Sequence, residues 1–410
     1  MKRRLNILFL SATLLLFISA QSQTIRKYVV VMRSNIGTAT MWDNTVLRIY
    51  GFAPTLAAQP TLPGVTLYAE EGDSIYIEAR AISQGDEHTV HLHGFDSSPK
   101  HDGDPLTSHP IGHLQSRIYA YRADHCGTFI YHCHVDDVVH VQMGMYGLMI
   151  VKPKGGLNTA WTGGPAYNRE YSWLMSEIDK EWHQNIPVMV GDTLWIPPYN
   201  PDYFLINGKS EQQITGNDSI KISGGIGEYI YLRTANIGYY NNRIIFPSEL
   251  NATIIDSDGR PLPKAVKNDT VNVAPGERYG VMLHCTGNYT GTVLVNYVNM
   301  NSDSVWNVQK VPVNIGALSV KENLYTSLFQ IYPNPARDVL EVVLINSYDL
   351  KADDYAIINT MGQIVKEGSI LKEKTVNTFS INVSDLNNGV YYVRLFLKDS
   401  YLYKKVIIAK

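Results

Sequence analysis

The stretch Gly127-Thr-Phe-Ile-Tyr-His-Cys-His134 constrains the fold of this chain more than any other. Its first half is rich in β-branched and aromatic residues, which are typical of a strand. Side chains on a strand alternate between the two faces of the sheet. We therefore expect His132 and His134 on one face and Cys133 on the other.

A second stretch, His88-Thr-Val-His-Leu-His-Gly94, has the same alternation, and ten of the twelve histidines lie between His88 and His140. If this stretch is a strand, His91 and His93 share one face and His88 takes the opposite face. The two strands then predict two metal sites back to back, an inner one around the cysteine and an outer one at the domain surface. The outer site would contain the four imidazoles of His91, His93, His132 and His134.

The inner site can be completed from the loop predicted between Val135 and Gly147, which supplies His140 and Met145. Two imidazoles, a thiolate and a weak thioether are the ligands of a blue-copper electron-transfer site. The sequence therefore predicts copper held by His88, Cys133, His140 and Met145.

The two histidine-rich stretches resemble the HxxHxH and HCHx(n)H copper motifs of multicopper oxidases, which lie in one cupredoxin domain in that family. The resemblance implies a type 1 copper at the inner site, and half of the ligands of a trinuclear copper cluster at the outer site. Cys133 and His140 are seven residues apart, which is longer than in laccase-like members and occurs in the related copper nitrite reductases. His91 stands where a nitrite reductase would carry Asp.

Composition excludes some partners and favours an exported protein. The formal net charge of −3 is too small to indicate nucleic acid or an anionic membrane as partner. A basic start, an apolar run at Ile7 to Ile18 and small residues before Gln23 predict a secretory signal peptide over residues 1–23. Cys126 and Cys285 then remain, and they form either a disulfide or two small buried thiols.

Many short strands between turn signals, without a long helical period, indicate an all-β chain made of β-sandwiches. The resemblance implies a copper-binding Greek-key cupredoxin domain over residues 24–155 and a second cupredoxin-like domain over 157–316. The second domain carries the stretch Val273-Ala-Pro-Gly-Glu-Arg278, which is similar to that family. It contains only His183 and His284, so we expect it to hold no copper of its own.

Residues 329–410 form a third unit, in which short alternating strands and Asn-Gly turns indicate a small β-sandwich. Its stretches Tyr332-Pro-Asn-Pro-Ala336 and Leu386-Asn-Asn-Gly-Val-Tyr-Tyr-Val393 resemble the C-terminal sorting domain of type IX secretion. The resemblance implies the type IX secretion machinery as a partner, and delivery to the cell surface or the medium.

The function implied by the resemblance is a secreted copper oxidoreductase. A small-molecule or protein donor would give single electrons to the inner copper, and copper at the outer histidines would reduce a small acceptor such as oxygen. Asp102, in a DG pair like that of multicopper oxidases, would supply protons there, and a plain turn is its alternative role. Two other functions stay open, namely nitrite reduction at one outer copper held by His93, His132 and a neighbour's histidine, and electron transfer without catalysis.

The outer site lacks half of the ligands that the resemblance calls for. A trinuclear cluster of this family uses eight histidines from two domains, and the second domain here has no HxH pair. We expect a smaller one- or two-copper site in a homo-oligomer, completed by a neighbour's loop histidine from His101, His109 or His113. A face-to-face dimer of first domains, which would gather eight histidines, is the other arrangement.

Overall fold

A computed structural model describes residues 24–82, 87–186, 188–190, 193–316, 329–344, 352–359, 363–370, 378–397 and 400–410. Strands dominate these residues, and none of the described helices is long or apolar enough to cross a membrane. The predicted all-β class is confirmed. The predicted signal peptide and the predicted linker at 317–328 lie outside the described residues.

The first group of strands forms a sandwich of two four-stranded sheets, in the orders β2-β1-β4-β6 and β3-β8-β7-β5. Its strands are β1 (Ile25–Thr40), β2 (Val46–Ala53), β3 (Leu67–Glu70), β4 (Ser74–Ala81), β5 (His91–His93), β6 (Ser116–Arg122), β7 (Gly127–His132) and β8 (Tyr146–Lys152). Both sheets contribute apolar side chains to one core, for example Phe52 and Tyr119 from one sheet and Phe129 and Met149 from the other. β7 therefore runs through the middle of a packed sheet, and it ends at His132, so Cys133 and His134 follow the strand that the sequence predicts to include them.

The second group of strands forms a larger sandwich, with sheets in the orders β12-β9-β14-β19-β16-β17 and β13-β21-β20-β15-β18, and a separate β10-β11 hairpin. Its strands are β9 (Arg169–Ile178), β10 (Val188–Val190), β11 (Thr193–Trp195), β12 (Tyr203–Ile206), β13 (Ile222–Gly225), β14 (Tyr229–Asn236), β15 (Asn241–Ile245), β16 (Thr253–Ser257), β17 (Arg260–Lys267), β18 (Thr270–Val273), β19 (Arg278–His284), β20 (Tyr289–Asn299) and β21 (Ser304–Gly316). Trp173 and Tyr297, from opposite sheets, are fully buried in its core.

The third group of strands has a core of its own, which includes Leu340 and Val393 and, among the residues whose burial is described, begins at Ile331. Its sheets have the orders β22-β23-β26 and β25-β24-β27-β28. The strands are β22 (Phe329–Tyr332), β23 (Val339–Leu344), β24 (Ala352–Asn359), β25 (Ile364–Ser369), β26 (Thr378–Asn382), β27 (Gly389–Leu397) and β28 (Ser400–Ile408). Three separate cores support the proposed division into domains at 24–155, 157–316 and 329–410.

The described helices are short. They are α1 (Pro105–Ser108), α2 (Asp137–Gln142), α3 (Lys180–Gln184) and α4 (Gln212–Thr215), with 3-10 turns at Pro99–His101 and Ser248–Leu250. Helix α2 occupies part of the segment that the sequence predicts to be a loop. Its residues include neither Gly nor Pro, an acidic residue lies in its first turn, and Gly144 with φ of 112° follows its end.

The first two domains share an apolar interface. Ile130 and Leu148 of the first domain pack with Leu174 and Ala235 of the second. Ile130 lies on the same face of β7 as His132, because the two residues are two positions apart on a strand. The face predicted to be the surface of the first domain is therefore covered by the second domain along part of its length.

Candidate metal centres

Strand pairing brings the two histidine-rich stretches together. β5 and β7 are antiparallel, with His91 opposite His132 and His93 opposite Ile130. The predicted strand from His88 is shorter than expected, because His88 makes only an isolated bridge with Ile111. Alternation still separates the sides as predicted, since His88 is fully buried while His91 and His93 are partly buried.

The inner group consists of His88, Cys133 and His140, all of which are buried. The Cys133 Sγ lies 3.3 Å from His140 Nδ1 and 3.8 Å from His88 Nδ1. The fully buried Met145 is next to them, because its carbonyl oxygen accepts a hydrogen bond from Cys133 N at 3.1 Å. The fold thus brings all four residues of the predicted inner site to one place, and α2 is the element that carries His140.

The electrostatics of the inner group favour a thiolate. Burial raises the pKa of the Cys133 thiol, but the hydrogen bonds from His140 and His88 outweigh burial and bring this pKa down to about 6. The thiolate is the form of cysteine that binds metals. A buried thiolate beside two imidazole nitrogens is a donor set that suits copper.

The outer group consists of His91, His93 and His132, whose ligating nitrogens all lie within 4.8 Å of one another. The ring of His134 is beside them, with its centroid 5.0 Å from that of His91. All four histidines of the predicted outer site are therefore close together, although His132 is buried and not on an open surface.

Hydrogen bonds fix the tautomers of two of these rings. The Nδ1 of His132 lies 2.8 Å from Cys133 O, and the Nδ1 of His91 lies 2.6 Å from Asp102 O. Carbonyl oxygens only accept hydrogen bonds, so each Nδ1 carries the proton and each Nε2 presents a lone pair. This is the arrangement by which proteins orient histidine ligands towards a metal.

Burial also keeps the outer imidazoles neutral. It lowers the pKa of His132 to about 3 and that of His93 to about 4, and it lowers the pKa of His91 as well. Neutral imidazole is the ligating form of histidine. The outer group is therefore available to a metal ion at neutral pH.

Asp102 lies at the outer group, where the sequence predicts a proton donor. Its Oδ2 is 3.6 Å from His91 Nδ1, and its Oδ1 accepts a hydrogen bond from Ser97 Oγ at 2.7 Å. Gly103 makes this approach possible, since it has φ of 84° and a Cβ there would lie 2.2 Å from Val90 O. The role of Asp102 stays a prediction.

The other histidines belong to neither group. Within the part of the chain that the structure describes, His101, His109 and His113 do not join either metal-ligating group of the same chain, and His101 Nδ1 accepts from Ala120 N at 3.2 Å. In the second domain, His183 contacts two carbonyl oxygens and His284 stacks on Tyr229 with 4.2 Å between ring centroids.

The second domain contacts the outer group through a turn whose sequence gives little indication of this role. A Cβ at Gly276 would lie 3.2 Å from His93 Cε1, and a Cβ at Gly94 would lie 2.0 Å from Arg278 Nη2. Arg278 also donates to Thr128 O of β7 at 3.4 Å. The only indication in the sequence was the resemblance of the stretch from Val273 through Arg278 to a known family. That resemblance did not predict a contact with the outer group.

The remaining cysteines are free. Cys126 in the first domain and Cys285 in the second are both buried thiols. Of the two alternatives for this pair, the structure has the buried thiols and not the disulfide.

A cleft of about 520 Å³ lies beside α2, between the first two domains. Four of its ten lining residues are aromatic, and all but Val138 belong to the second domain: Val138, Trp182, Ile196, Pro197, Tyr199, Tyr239, Tyr240, Asn299, Met300 and Asn301. Apolar clefts of this volume are typical of small-molecule sites.

Glu177 is a buried carboxyl group near this cleft. Its Oε2 accepts a hydrogen bond from Tyr239 N at 2.7 Å, whereas its Oε1 is buried without a partner. Burial raises the pKa of Glu177 to about 8. The side chain is therefore mostly protonated in the folded protein at neutral pH.

This pKa predicts a pH effect on stability. The unfolded carboxyl ionises near pH 4.3, so between about pH 4.5 and 8 the unfolded chain loses a proton that the folded chain keeps. Glu177 should thus lower the free energy of unfolding by up to about 1.4 kcal/mol per pH unit as pH rises. Glu177→Gln should remove this component, measured as the difference between denaturant unfolding curves of the two metal-free proteins at about pH 5.5 and 7.5. Parallel pH dependence in the two proteins would contradict the prediction.

Comparison with known proteins identifies three matched regions. Two family profiles described as multicopper oxidase match residues 45–156 and 174–312. A profile described as a secretion system C-terminal sorting domain matches residues 330–409. The third match confirms the predicted sorting domain and indicates export by type IX secretion, to the cell surface or the medium.

Relatives of two kinds are similar to the chain. Laccase-22 of Oryza sativa subsp. japonica is 24% identical over 334 residues, which cover 74% of this chain and 55% of the laccase. A copper-containing nitrite reductase of Alcaligenes xylosoxydans xylosoxydans is 34% identical over 131 residues, 31% of this chain and 38% of the reductase. The chain spans about half the length, or less, of these curated relatives.

Solved structures share the fold. The blue copper oxidase from Nitrosomonas europaea superposes with a TM-score of 0.57 at 24% identity, over 73% of this chain and 88% of that protein. The copper nitrite reductase from Nitrosomonas europaea superposes with a TM-score of 0.53 at 16% identity, over 71% and 94%. These likenesses confirm the predicted cupredoxin-like sandwiches.

Proposed function

Because this chain belongs to the multicopper oxidase family, we propose that it is a secreted copper-dependent oxidoreductase. It would accept single electrons from an external reductant at the inner group and reduce a small acceptor, with oxygen as the first candidate, at the outer group. The observation that carries the proposal is the placement of two donor groups on opposite sides of one strand end. Cys133 belongs to the inner group, and its covalent neighbours are His132 of the outer group and His134, whose ring stacks beside that of His132.

Copper would be held at the inner site by His88, Cys133, His140 and Met145, where it supplies reversible one-electron chemistry. The chain keeps this site away from water, since all four side chains are buried. It keeps the thiol ionised through the two histidine contacts. The peptide bonds on either side of Cys133 then form the shortest covalent connection between the two sites.

At the outer site, His91, His93, His132 and His134 would be the ligands. Asp102 would pass protons from solvent towards the acceptor, because its carboxylate is near His91 and partly exposed to solvent. Position 91 carries histidine, which favours oxygen over nitrite as acceptor. The 34% identity with a nitrite reductase keeps nitrite reduction as the second candidate, with His93, His132 and a neighbour's histidine as ligands.

The reductant would dock in the cleft beside α2. Trp182, Tyr199 and Tyr239 offer flat apolar walls, which suit a planar aromatic donor. Val138 of α2 lines the cleft and is two residues from His140, so a bound donor would be near the inner site. A protein donor would instead contact the rim of the cleft.

We further propose that the outer site is completed by a second copy of the chain. The described part of the second domain places neither of its histidines at the outer group, so four imidazoles are what one chain offers. A loop histidine of a neighbouring copy, from His101, His109 or His113, would complete a site for one or two coppers. A face-to-face dimer of first domains is the alternative arrangement.

Turnover assays test the proposed function. We expect the copper-loaded protein to consume oxygen with a phenolic donor and to leave nitrite unchanged under a reductant without oxygen. About two coppers per chain, one of them with a type 1 EPR signal, would fit the smaller outer site. Nitrite reduction would favour the second candidate, and absence of both activities would leave an electron carrier.

A further inference from the structure

Polar groups of helix α2 form hydrogen bonds with the second domain. We propose that the second domain acts as a brace that positions His140, with Gln142 as the main positioning residue. The inference rests on the proposed inner copper site. It assigns a role in that site to a domain that contributes no ligand to it.

The side-chain amide of Gln142 forms its hydrogen bonds with residues of the second domain. It is 3% exposed. Its Nε2 donates to Glu177 O at 3.0 Å and to Tyr199 OH at 3.2 Å, and its Oε1 accepts from Asp179 N at 2.7 Å. A buried amide with three such bonds has a single position, because moving it would leave polar groups unpaired in the interface.

Further contacts hold both ends of the helix. At its C-terminal end, the carbonyl oxygen of Gln142 lies 3.0 Å from His183 Nε2, and the Nδ1 of the same ring lies 2.6 Å from Arg48 O of β2. Burial lowers the pKa of His183, so the neutral ring has one N–H and donates to one of these two carbonyl oxygens. Near its N-terminal end, Tyr239 OH donates to Val138 O. His183 and Tyr239 belong to the second domain, so that domain contacts α2 at both ends, with unambiguous hydrogen bonds from Tyr239 OH and to the Gln142 side chain.

The helix needs such support because little within it fixes its position. It has six residues, far fewer than a helix needs to be stable alone. Asp136 at its start has φ of 44° and makes no side-chain capping bond. The place of His140 beside the Cys133 Sγ is therefore set by packing and by the bonds to the second domain.

A site held by its surroundings keeps its ligand geometry in both oxidation states of the metal. Positions fixed by packed rotamers and hydrogen bonds give such sites their precision. The brace would thus determine the spectrum and the copper affinity of the inner site, although none of its members touches the metal.

Two substitutions and one control test the brace. Gln142→Met keeps the length of the side chain and removes its hydrogen bonds. Tyr239→Phe removes one hydroxyl from a partly exposed position. It tests the proposal if Gln142→Met does not fold. Thr128→Val is the control, because its hydroxyl accepts from Arg233 Nη1 at 3.0 Å across the same interface, five residues before Cys133.

We expect copper-loaded Gln142→Met to show altered thiolate–copper absorption and altered EPR hyperfine splitting, with about tenfold weaker copper retention against a chelator. Tyr239→Phe should change the same signals less, and Thr128→Val should lower the Tm without changing the spectrum. Wild-type spectra and affinity in both Gln142→Met and Tyr239→Phe would overturn the brace. A wild-type protein without a type 1 spectrum would instead overturn the proposed copper site.

Discussion

Replacing Cys133 by Ser should abolish the blue or green colour of the copper-loaded protein. The colour arises from charge transfer between the thiolate and copper(II), and serine provides no thiolate at neutral pH. Cys133 is fully buried between His88 and His140, so the change of one atom leaves the packing nearly intact. Visible absorption and EPR of the two purified proteins, at matched copper content, measure the effect.

Cys126→Ser is the matched control for this experiment. Cys126 is also a buried free thiol of the first domain, its Sγ is 3.8 Å from the Glu71 carboxylate, and it is not part of the inner group. Its variant should keep the full colour. A colourless wild-type protein with copper bound, or a coloured Cys133→Ser, would refute a type 1 site at this position.

Removing residues 329–410 should stop delivery to the cell surface and leave the rest of the chain folded. The third core contains residues from Ile331 to Ile408, while the cores of the first two domains end at Ile315. No apolar cluster among the described residues is therefore cut by the truncation, and the remaining domains keep their own strands.

Cell fractionation of the host measures delivery to the cell surface. Thermal unfolding of the purified truncated protein measures whether the remaining domains are folded. The truncated protein should accumulate inside the outer membrane, with the colour and Tm of the first two domains unchanged. A full-length chain with Lys366→Ala is a suitable control, because it removes only a surface ion pair with Asp385. Normal surface delivery of the truncation would show that this domain is not the export signal.

The sequence predicts the two metal groups because strand alternation is a local rule. Once His132, Cys133 and His134 are assigned to one strand end, their separation into two sites follows from a period of two. The register that sets His91 opposite His132 extends the same rule to the neighbouring strand. These positions therefore agree with what the sequence alone indicates.

The contacts of the second domain could not be predicted in the same way. Gln142 and Arg278 are polar residues without a periodic pattern, and their partners lie far along the chain, as with Gln142 and Glu177, which are 35 positions apart. Helix α2 was missed for a related reason, since six residues are too few for a helical period to be visible. Long-range packing, and not local propensity, determines these parts of the site.

The shared interface also sets the smallest fragment that can hold the inner site. A first domain prepared alone would expose Ile130, Val141 and Leu148 as one apolar patch, and it would leave the amide of Gln142 to water. Such a patch promotes self-association in solution. We therefore expect the domain that carries every proposed ligand to self-associate when it is prepared alone, and the pair of domains from 24 to 316 to be the smallest fragment that stays soluble.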